Sequence, residues 1–119
     1  HYKLSNCHIS VKDKKNQMIP LYFRGILFII SEGNYIDIHT EKDVFRKRCN
    51  VKYFREICGN EIFTYVEKGI LVNVRHVKIY SPLTGELITK NGMHMNVRKK
   101  FKDNFLKDCI RFEVQNVMD

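Results

Sequence analysis

The stretch Ile26–Thr40, ILFIISEGNYIDIHT, decides the fold. It opens with the apolar run Ile26–Ile30, is interrupted by Glu32-Gly33-Asn34, and ends with Tyr35–Thr40, where apolar and polar side chains alternate. A period of two is that of a β-strand with one buried face. Gly and Asn are residues that tight turns favour. The stretch therefore predicts two antiparallel strands joined by a short turn.

The same pattern continues on both sides of this stretch. Upstream, Cys7–Val11 and Gln17–Phe23 flank the polar run Lys12–Asn16, as two strands flank a turn. Downstream, the polar turn Glu41-Lys42-Asp43 leads into the further strand Val44–Cys49. The N-terminal half is therefore predicted to be an antiparallel meander with one face towards solvent.

Short strands with turn residues between them also fill most of the C-terminal half. The predicted strands are Ile62–Glu67, Ile70–Val72, Val77–Tyr80, Glu86–Thr89 and Met93–Val97. Asn91-Gly92 predicts a type I′ hairpin turn, because both residues tolerate the positive φ that this turn requires. The segment Glu113–Asp119 is compatible with a strand or with a frayed end.

Two short helices are expected. Asn50 is a candidate N-cap for the first helix, and Gly59 is its predicted C-terminal stop. The apolar stripe of this helix consists of Val51, Phe54, Ile57 and Cys58. The second helix is predicted over Arg98–Lys107, and one side of it carries Phe101, Phe105, Leu106 and Cys109. Its first turn contains Arg98, Lys99, Lys100 and Lys102, which oppose the helix dipole. Such an unfavourable arrangement indicates that another interaction requires these charges.

Composition indicates one soluble, mainly β domain of 119 residues, with a core at about residues 7–110. The chain begins at His1 rather than Met, so we expect a domain excised from a longer protein. The four cysteines form no CxxC pair and no zinc-ligand cluster, which predicts no metal site. Their even number would permit two disulfides, but no stretch resembles a signal peptide and the chain begins at His1 rather than Met, so we expect reduced thiols. The longest apolar run, Ile26–Ile30, is too short to cross a bilayer.

No catalytic or cofactor motif stands out. His39 with Asp37, His76 and His94 lie outside any activating Ser or Cys motif. The chain has no Gly-rich phosphate loop, Walker-type lysine or HExxH pattern. We therefore expect a protein that is not an enzyme and needs no cofactor.

The charge of the chain favours an acidic partner. Lys and Arg number 21 against 13 Asp and Glu, giving a formal net charge of +8 and a pI near 9.4. The basic residues concentrate beside turns and helix starts, where side chains and free backbone N–H groups together suit phosphate oxygens. Charge alone leaves two interpretations open, a phosphate-binding surface and a solvated surface.

The order of motifs resembles the LytTR family, the DNA-binding output domain of bacterial response regulators of the LytR/AlgR type. The resemblance runs over about 75 residues. It is carried by Ile26–Tyr35, Ile38-His39-Thr40, the helix at Val51–Ile57, Phe63, Leu71-Val72-Asn73, Val77, Asn91-Gly92 and Val97-Arg98.

The resemblance implies an elongated arrangement of antiparallel β-sheets with one or two short helices, whose loops enter successive major grooves of double-stranded DNA. By position, the residues that would face base edges are Asn34, Tyr35, Lys68 and Arg98. Those that would lie near phosphates are Arg48, Asn50, Lys52, Gly69, Lys99 and Lys102. It also implies repeated half-sites, a homodimer on DNA, an upstream receiver or sensor domain, and a cytoplasmic transcription regulator.

The chain departs from the family pattern at one turn. Where many members read His-Arg-Ser, this chain has Glu67-Lys68-Gly69, which introduces a carboxylate. Glu67 could accept a hydrogen bond from a cytosine amine or form an ion pair with Lys68. The alternative to DNA recognition is a basic module that binds an acidic protein or an anionic surface. Competition by unrelated DNA distinguishes the two.

Overall fold

Eleven strands and two helices make up the part of the chain that the computed structural model describes, residues 8–58, 63–112, 114 and 116–117. The strands are β1 (His8–Lys12), β2 (Met18–Tyr22), β3 (Ile26–Glu32), β4 (Tyr35–Thr40), β5 (Val44–Lys47), β6 (Phe63–Glu67), β7 (Ile70–Asn73), β8 (Val77–Tyr80), β9 (Glu86–Thr89), β10 (His94–Asn96) and β11 (Asn116–Val117). The helices are α1 (Val51–Cys58) and α2 (Lys102–Arg111). The prediction of a mainly β fold with two short helices is confirmed. The predicted strand start at Cys7, the helix stop at Gly59 and the strand start at Ile62 lie outside the described residues.

A five-stranded antiparallel sheet lies at the centre, in the order β5-β4-β3-β7-β6. The stretch Ile26–Thr40 forms its β3–β4 hairpin, as predicted, with Glu32 opposite Tyr35. Strands β1 and β2 form a separate hairpin. Strands β8, β9 and β10 form a smaller antiparallel sheet, which β11 extends by pairing in parallel with β8. The sequence had left the segment that contains β11 open.

Apolar side chains on both faces of the central sheet are buried, in two separate clusters. One cluster joins Ile29, Ile36 and Ile38 of the sheet to the β1–β2 hairpin and to Phe54 of α1. The other joins Phe28 and Val72 to the β8–β10 sheet and to Phe105 of α2. The alternation of side chains along each strand supplies both clusters. The central sheet is thus held from two sides, and its connecting loops emerge at its ends.

Helix α1 begins at the predicted cap. The backbone N–H of Tyr53 donates to Asn50 Oδ1 at 2.7 Å, as an N-cap residue requires. Val51, Phe54 and Cys58 are buried as predicted, whereas Ile57 is 37% exposed, so its place in the buried stripe was wrong. The reason is helical geometry, since position 57 lies about 120° around the axis from position 51 and about 100° from position 58, at the margin of the buried stripe.

The start of α2 also differs from the prediction. Arg98 is extended, with φ −64° and ψ 147°, and a 3₁₀ turn over Lys99–Phe101 precedes the α-helix. The predicted helix over Arg98–Lys107 therefore begins later and continues to Arg111. Phe105 and Cys109 are fully buried, in agreement with the predicted apolar side.

The hairpin at Asn91-Gly92 is present, but its turn is not type I′. Gly92 has φ +87°, whereas the φ of Asn91 is not positive. Four residues separate β9 from β10, and the backbone N–H of Thr89 donates to Met93 O at 2.9 Å. The Thr89 hydroxyl also donates to Asn91 Oδ1. This side-chain bond closes a longer loop in which Asn91 needs no positive φ.

A buried amide joins the central sheet to the connection before it. Asn73 is fully buried, and its Nδ2 donates to Ile26 O at 2.9 Å and to Phe23 O at 3.4 Å. Its Oδ1 accepts from the backbone N–H of Arg75 at 3.0 Å.

Among the described residues, neither α1 nor α2 has the length or the apolar content of a membrane-spanning helix.

Candidate nucleic-acid interface

Three connections meet at one end of the central sheet, which we call the loop end: residues 32–35, 48–50 and 67–69. The β3–β4 turn closes there with Glu32 opposite Tyr35, and Ile36 pairs with Lys47, so the chain after β5 leaves at the same end. The β6–β7 turn joins them because the backbone N–H of Ser31 donates to Gly69 O at 2.8 Å. Antiparallel register thus collects residues that are far apart in sequence.

Arg98 reaches the loop end through the edge strand β6. Its backbone N–H donates to Val66 O at 2.8 Å, which fastens the start of the last helical segment to the sheet. Its Nε lies 3.8 Å from Glu67 Oε1, and its side chain is 72% exposed. The ion pair therefore joins Glu67 to Arg98, not to Lys68 as the sequence had allowed.

The ring of Tyr35 is in contact with two guanidinium groups. The guanidinium carbon of Arg46 lies 5.4 Å from the centre of the Tyr35 ring, and that of Arg48 lies 5.8 Å from it. Both distances are within the range of a cation–π contact. The predicted base-facing residue Tyr35 and the predicted phosphate-facing residue Arg48 are therefore in contact with each other.

Arg46 is held by carboxylates, which sequence reasoning had not foreseen. Its Nε donates to Asp37 Oδ1 at 2.8 Å, and its Nη2 donates to Asp37 Oδ2 at 3.0 Å and to Glu32. The hydrogen bond from Arg46 lowers the pKa of Asp37 below its usual value. The sequence signal that predicts this ion pair is the Glu41-Lys42-Asp43 turn. A turn at these residues places Asp37 opposite Arg46 in the antiparallel pair of β4 and β5.

The basic run Arg46-Lys47-Arg48 divides into three different environments. Arg46 is neutralised by Asp37 and Glu32, and Lys47 points to the other face of the sheet, where its Nζ donates to Ser10 O at 2.8 Å. Arg48 is exposed, and within the described part of the chain no carboxylate lies within 4.0 Å of it. Arg48 is the cation of this run that remains available to an anion.

Asn50 and Lys52 follow directly at the start of α1. Both are exposed, and the Oδ1 of Asn50 is occupied by its cap hydrogen bond to Tyr53. The amide Nδ2 of Asn50 is the group left to donate to an incoming oxygen. This helix start adds backbone N–H groups and the Lys52 ammonium to the loop end.

The Lys68-Gly69 turn requires glycine at its second position. Gly69 has φ +82°, and a Cβ there would lie 3.3 Å from the Cβ of Ser31. Lys68 is exposed at the tip of the turn, next to the tight approach of Gly69 to β3. Asn34 is likewise exposed, following Gly33 at φ +61°.

The two remaining predicted lysines differ in position. Lys99 follows Arg98 directly and is exposed in the 3₁₀ turn. Lys102 is partly buried, with its Cε 2.9 Å from the position that a Cβ on Gly85 would take. The stem of Lys102 therefore lies against the β8–β9 connection.

Two of the three histidines that were catalytic candidates, His39 and His76, have structural partners. His39 stacks on Phe28 with ring centroids 4.2 Å apart, and His76 Nε2 lies 2.9 Å from Arg24 O. Burial lowers the pKa of His39. Within residues 8–58, 63–112, 114 and 116–117, no three His, Cys, Asp or Glu side chains gather as a metal site.

The loop end thus combines exposed cations, a tyrosine ring and amide groups with two carboxylates, Glu32 and Glu67, each paired with an arginine. Cations and N–H donors on neighbouring loops can bind phosphodiester oxygens, while arginine and amide side chains can also hydrogen-bond base edges. The arrangement has the chemistry of a polyanion-binding surface.

Comparisons with known proteins agree with this chemistry. The family model described as the LytTr DNA-binding domain matches residues 16–108. The structure is similar to the solved LytTr DNA-binding domain of a Bacillus cereus protein described as a methyl-accepting/DNA response regulator. The TM-score is 0.74 at 19% sequence identity, over 85% of this chain and 94% of that chain. A search of curated proteins gives no match. Because the family model covers most of the chain, the protein belongs to the LytTR family of DNA-binding domains.

Proposed function

We propose that this chain is one sequence-specific, double-stranded DNA-binding domain that acts as the output domain of a bacterial transcription regulator. In this proposal the loop end meets the duplex, and its loops, rather than a recognition helix, enter the major groove. The observation that carries the proposal is the convergence of Tyr35, Arg48, Gly69 and Arg98 on one end of the sheet.

The proposed contacts divide into two kinds. Asn34, Tyr35, Lys68 and Arg98 face base edges, whereas Arg48, Asn50, Lys52, Gly69, Lys99 and Lys102 lie near phosphates. Arg98 is the principal base reader, because its planar guanidinium can pair with both major-groove acceptors of guanine. Such a bidentate pair discriminates against a wrong base by about 1–3 kcal/mol. Phosphate contacts fix position and carry the salt dependence of binding.

The wider context of the proposal follows from the family. We propose a cytoplasmic response regulator with a receiver or sensor domain upstream, whose DNA-binding domains occupy repeated half-sites as a homodimer. Neither a cofactor nor a catalytic step belongs to this function.

The test is selection of preferred duplexes from a random DNA pool, with the unchanged domain beside Arg98→Ala and Lys68→Ala. Lys42→Ala is the matched control, because Lys42 lies in the β4–β5 turn at the opposite end of the sheet. We expect an enriched motif with the unchanged domain and with Lys42→Ala, and a relaxed motif with Arg98→Ala.

A selection without an enriched motif would refute sequence-specific recognition. If no motif is enriched and all lysine and arginine variants weaken binding equally, binding follows total charge alone. The proposal of sequence-specific recognition then fails, and the chain is a basic module for an acidic protein or an anionic surface.

A further inference from the structure

A second basic feature lies outside the loop end, in a cleft between α1, β6 and α2. Its volume is about 340 Å³, within the range of small-molecule sites. Three cations of this cleft are Arg55, Lys107 and Arg111, and its aromatic wall is formed by Tyr65 and Phe101. The two rings pack against each other, with centroids 5.9 Å apart. We call it the Arg55 cleft.

Among the described residues, the cations of the Arg55 cleft have no carboxylate partner. Asp108 is the acidic residue that lines the cleft, but no carboxylate oxygen of the described residues lies within 4.0 Å of the nitrogens of Arg55, Lys107 or Arg111. The cleft therefore carries an excess of two positive charges. Cations gathered in a concave site attract an anion more strongly than the same cations on a flat surface.

Within the described part of the chain, Arg55 also has a buried donor that no acceptor meets. Its guanidinium carbon lies 4.9 Å from the centre of the Tyr65 ring, and its Nε has no hydrogen-bond partner among the described residues. A buried N–H of a charged group without a partner is costly, and such groups call for a physical explanation. A bound oxyanion would satisfy it, because guanidinium groups match phosphate oxygens in geometry and charge.

The position of the cleft separates it from the proposed base-reading residues. Helix α2 starts near the loop end, and Arg111 lies nine residues after Lys102, about 14 Å along the helix axis. Phe101, which closes the cleft on that side, also ends the 3₁₀ turn that carries Lys99. The lining residues of the cleft are thus distinct from those of the loop end, although both are carried by α1, β6 and the segment that leads into α2.

We infer that the Arg55 cleft is a phosphate-binding site. The phosphoryl group can come from a free phosphorylated small molecule or from a DNA backbone that extends beyond the loop end. The second source rests on the proposed function, and the first does not.

The first arm of the test titrates the domain with inorganic phosphate and with phenyl phosphate at constant ionic strength, followed by backbone amide NMR. For a free ligand we expect saturable shifts around Arg55 and Arg111, with a dissociation constant on the order of millimolar or tighter. Arg55→Gln and Arg111→Gln should each abolish saturation, whereas Lys42→Gln should not. The spectra themselves show whether each variant is folded.

The second arm measures the dependence of DNA binding on salt for the same four proteins. For a DNA backbone in the cleft we expect Arg55→Gln or Arg111→Gln to reduce the log–log slope by about 0.9, the value for one lost phosphate contact. Lys42→Gln should leave the slope unchanged. A domain that binds no DNA at all would contradict the proposed function, and the phosphate titration would still decide the inference.

The inference is overturned if neither source gives the expected signal. That result consists of linear, non-saturating shifts with phosphate together with salt slopes that do not change in the folded Arg55→Gln and Arg111→Gln variants.

Discussion

Replacing Glu67 by Gln tests how the carboxylate at the loop end controls Arg98. In the protein without DNA, Glu67 Oε1 lies 3.8 Å from Arg98 Nε, so Arg98 must leave this partner before it pairs with a guanine. The carboxylate also repels any phosphate that approaches the loop end. We therefore expect Glu67→Gln to bind all duplexes more tightly and to gain most on the selected duplex, in which Arg98 pairs with a guanine.

The magnitude follows from the exposure of the pair. The Arg98 side chain is 72% exposed and that of Glu67 is 38% exposed, so water screens the pair strongly. At that distance and the dielectric of water the attraction is about 1 kcal/mol, and exposed pairs contribute about 0.2–1 kcal/mol. Removing the pair should strengthen binding to the selected duplex by roughly 1.4- to 5-fold more than binding to a scrambled duplex.

The assay is fluorescence anisotropy with one selected duplex and one scrambled duplex at two salt concentrations. Glu41→Gln is the control, because it removes the same charge in the turn at the opposite end of the central sheet. The ratio of the affinity for the selected duplex to that for the scrambled duplex should rise in Glu67→Gln and stay constant in Glu41→Gln.

Two results would refute this reasoning. If Glu41→Gln and Glu67→Gln strengthen binding equally, only net charge matters. If Glu67→Gln weakens binding to the selected duplex and leaves the scrambled duplex unchanged, Glu67 reads a base itself, as an acceptor for a cytosine amine.

Three further predictions concern the fold that supports the loop end. Asn50→Ala should lower Tm by about 4 °C in calorimetry, because the cap hydrogen bond from Tyr53 is lost. Asn50→Asp keeps a cap acceptor and should keep Tm, but its added negative charge should weaken DNA binding in an anisotropy assay. Asn73→Ala leaves buried backbone groups without partners and should cost at least about 2 kcal/mol in urea unfolding. Burial lowers the pKa of His39 below 6.5, so the unfolded chain takes up a proton first. Stability should therefore fall as the pH drops below about 6.5, and His39→Phe, which keeps the stacking on Phe28, should flatten that dependence in thermal unfolding.

Local sequence pattern was sufficient for the strands and for the cap of α1. Alternation in Tyr35–Thr40 reflects burial of Ile36 and Ile38, and Asn50 acts on its own helix. The error at Ile57 arises at the margin of the buried helix face, and the error at Asn91 arises from a side-chain hydrogen bond within the turn. Ile57 lies at the edge of the helix face that covers the cluster, and the Thr89 hydroxyl closes a turn that the Asn-Gly pattern assigns to another type.

The candidate site was harder to predict because its contacts join distant segments. The Arg46–Asp37 pair follows from antiparallel register once the β4–β5 turn is recognised. The Glu67–Arg98 pair does not, since it requires knowledge that the backbone of Arg98 binds Val66 on the edge strand. The Arg55 cleft likewise combines α1, β6 and α2, which no local pattern brings together.

The attachment of Arg98 to β6 also bears on how such a domain can evolve. The backbone bond from Arg98 to Val66 O anchors this side chain to the sheet, whereas Lys99 and Lys100 belong to the 3₁₀ turn that follows. Substitutions among these lysines can therefore adjust the overall attraction to an anion without moving Arg98. The strength of binding and the choice of target then depend on different residues. Evolution can therefore change the affinity of such a domain while the sequence that it recognises stays the same.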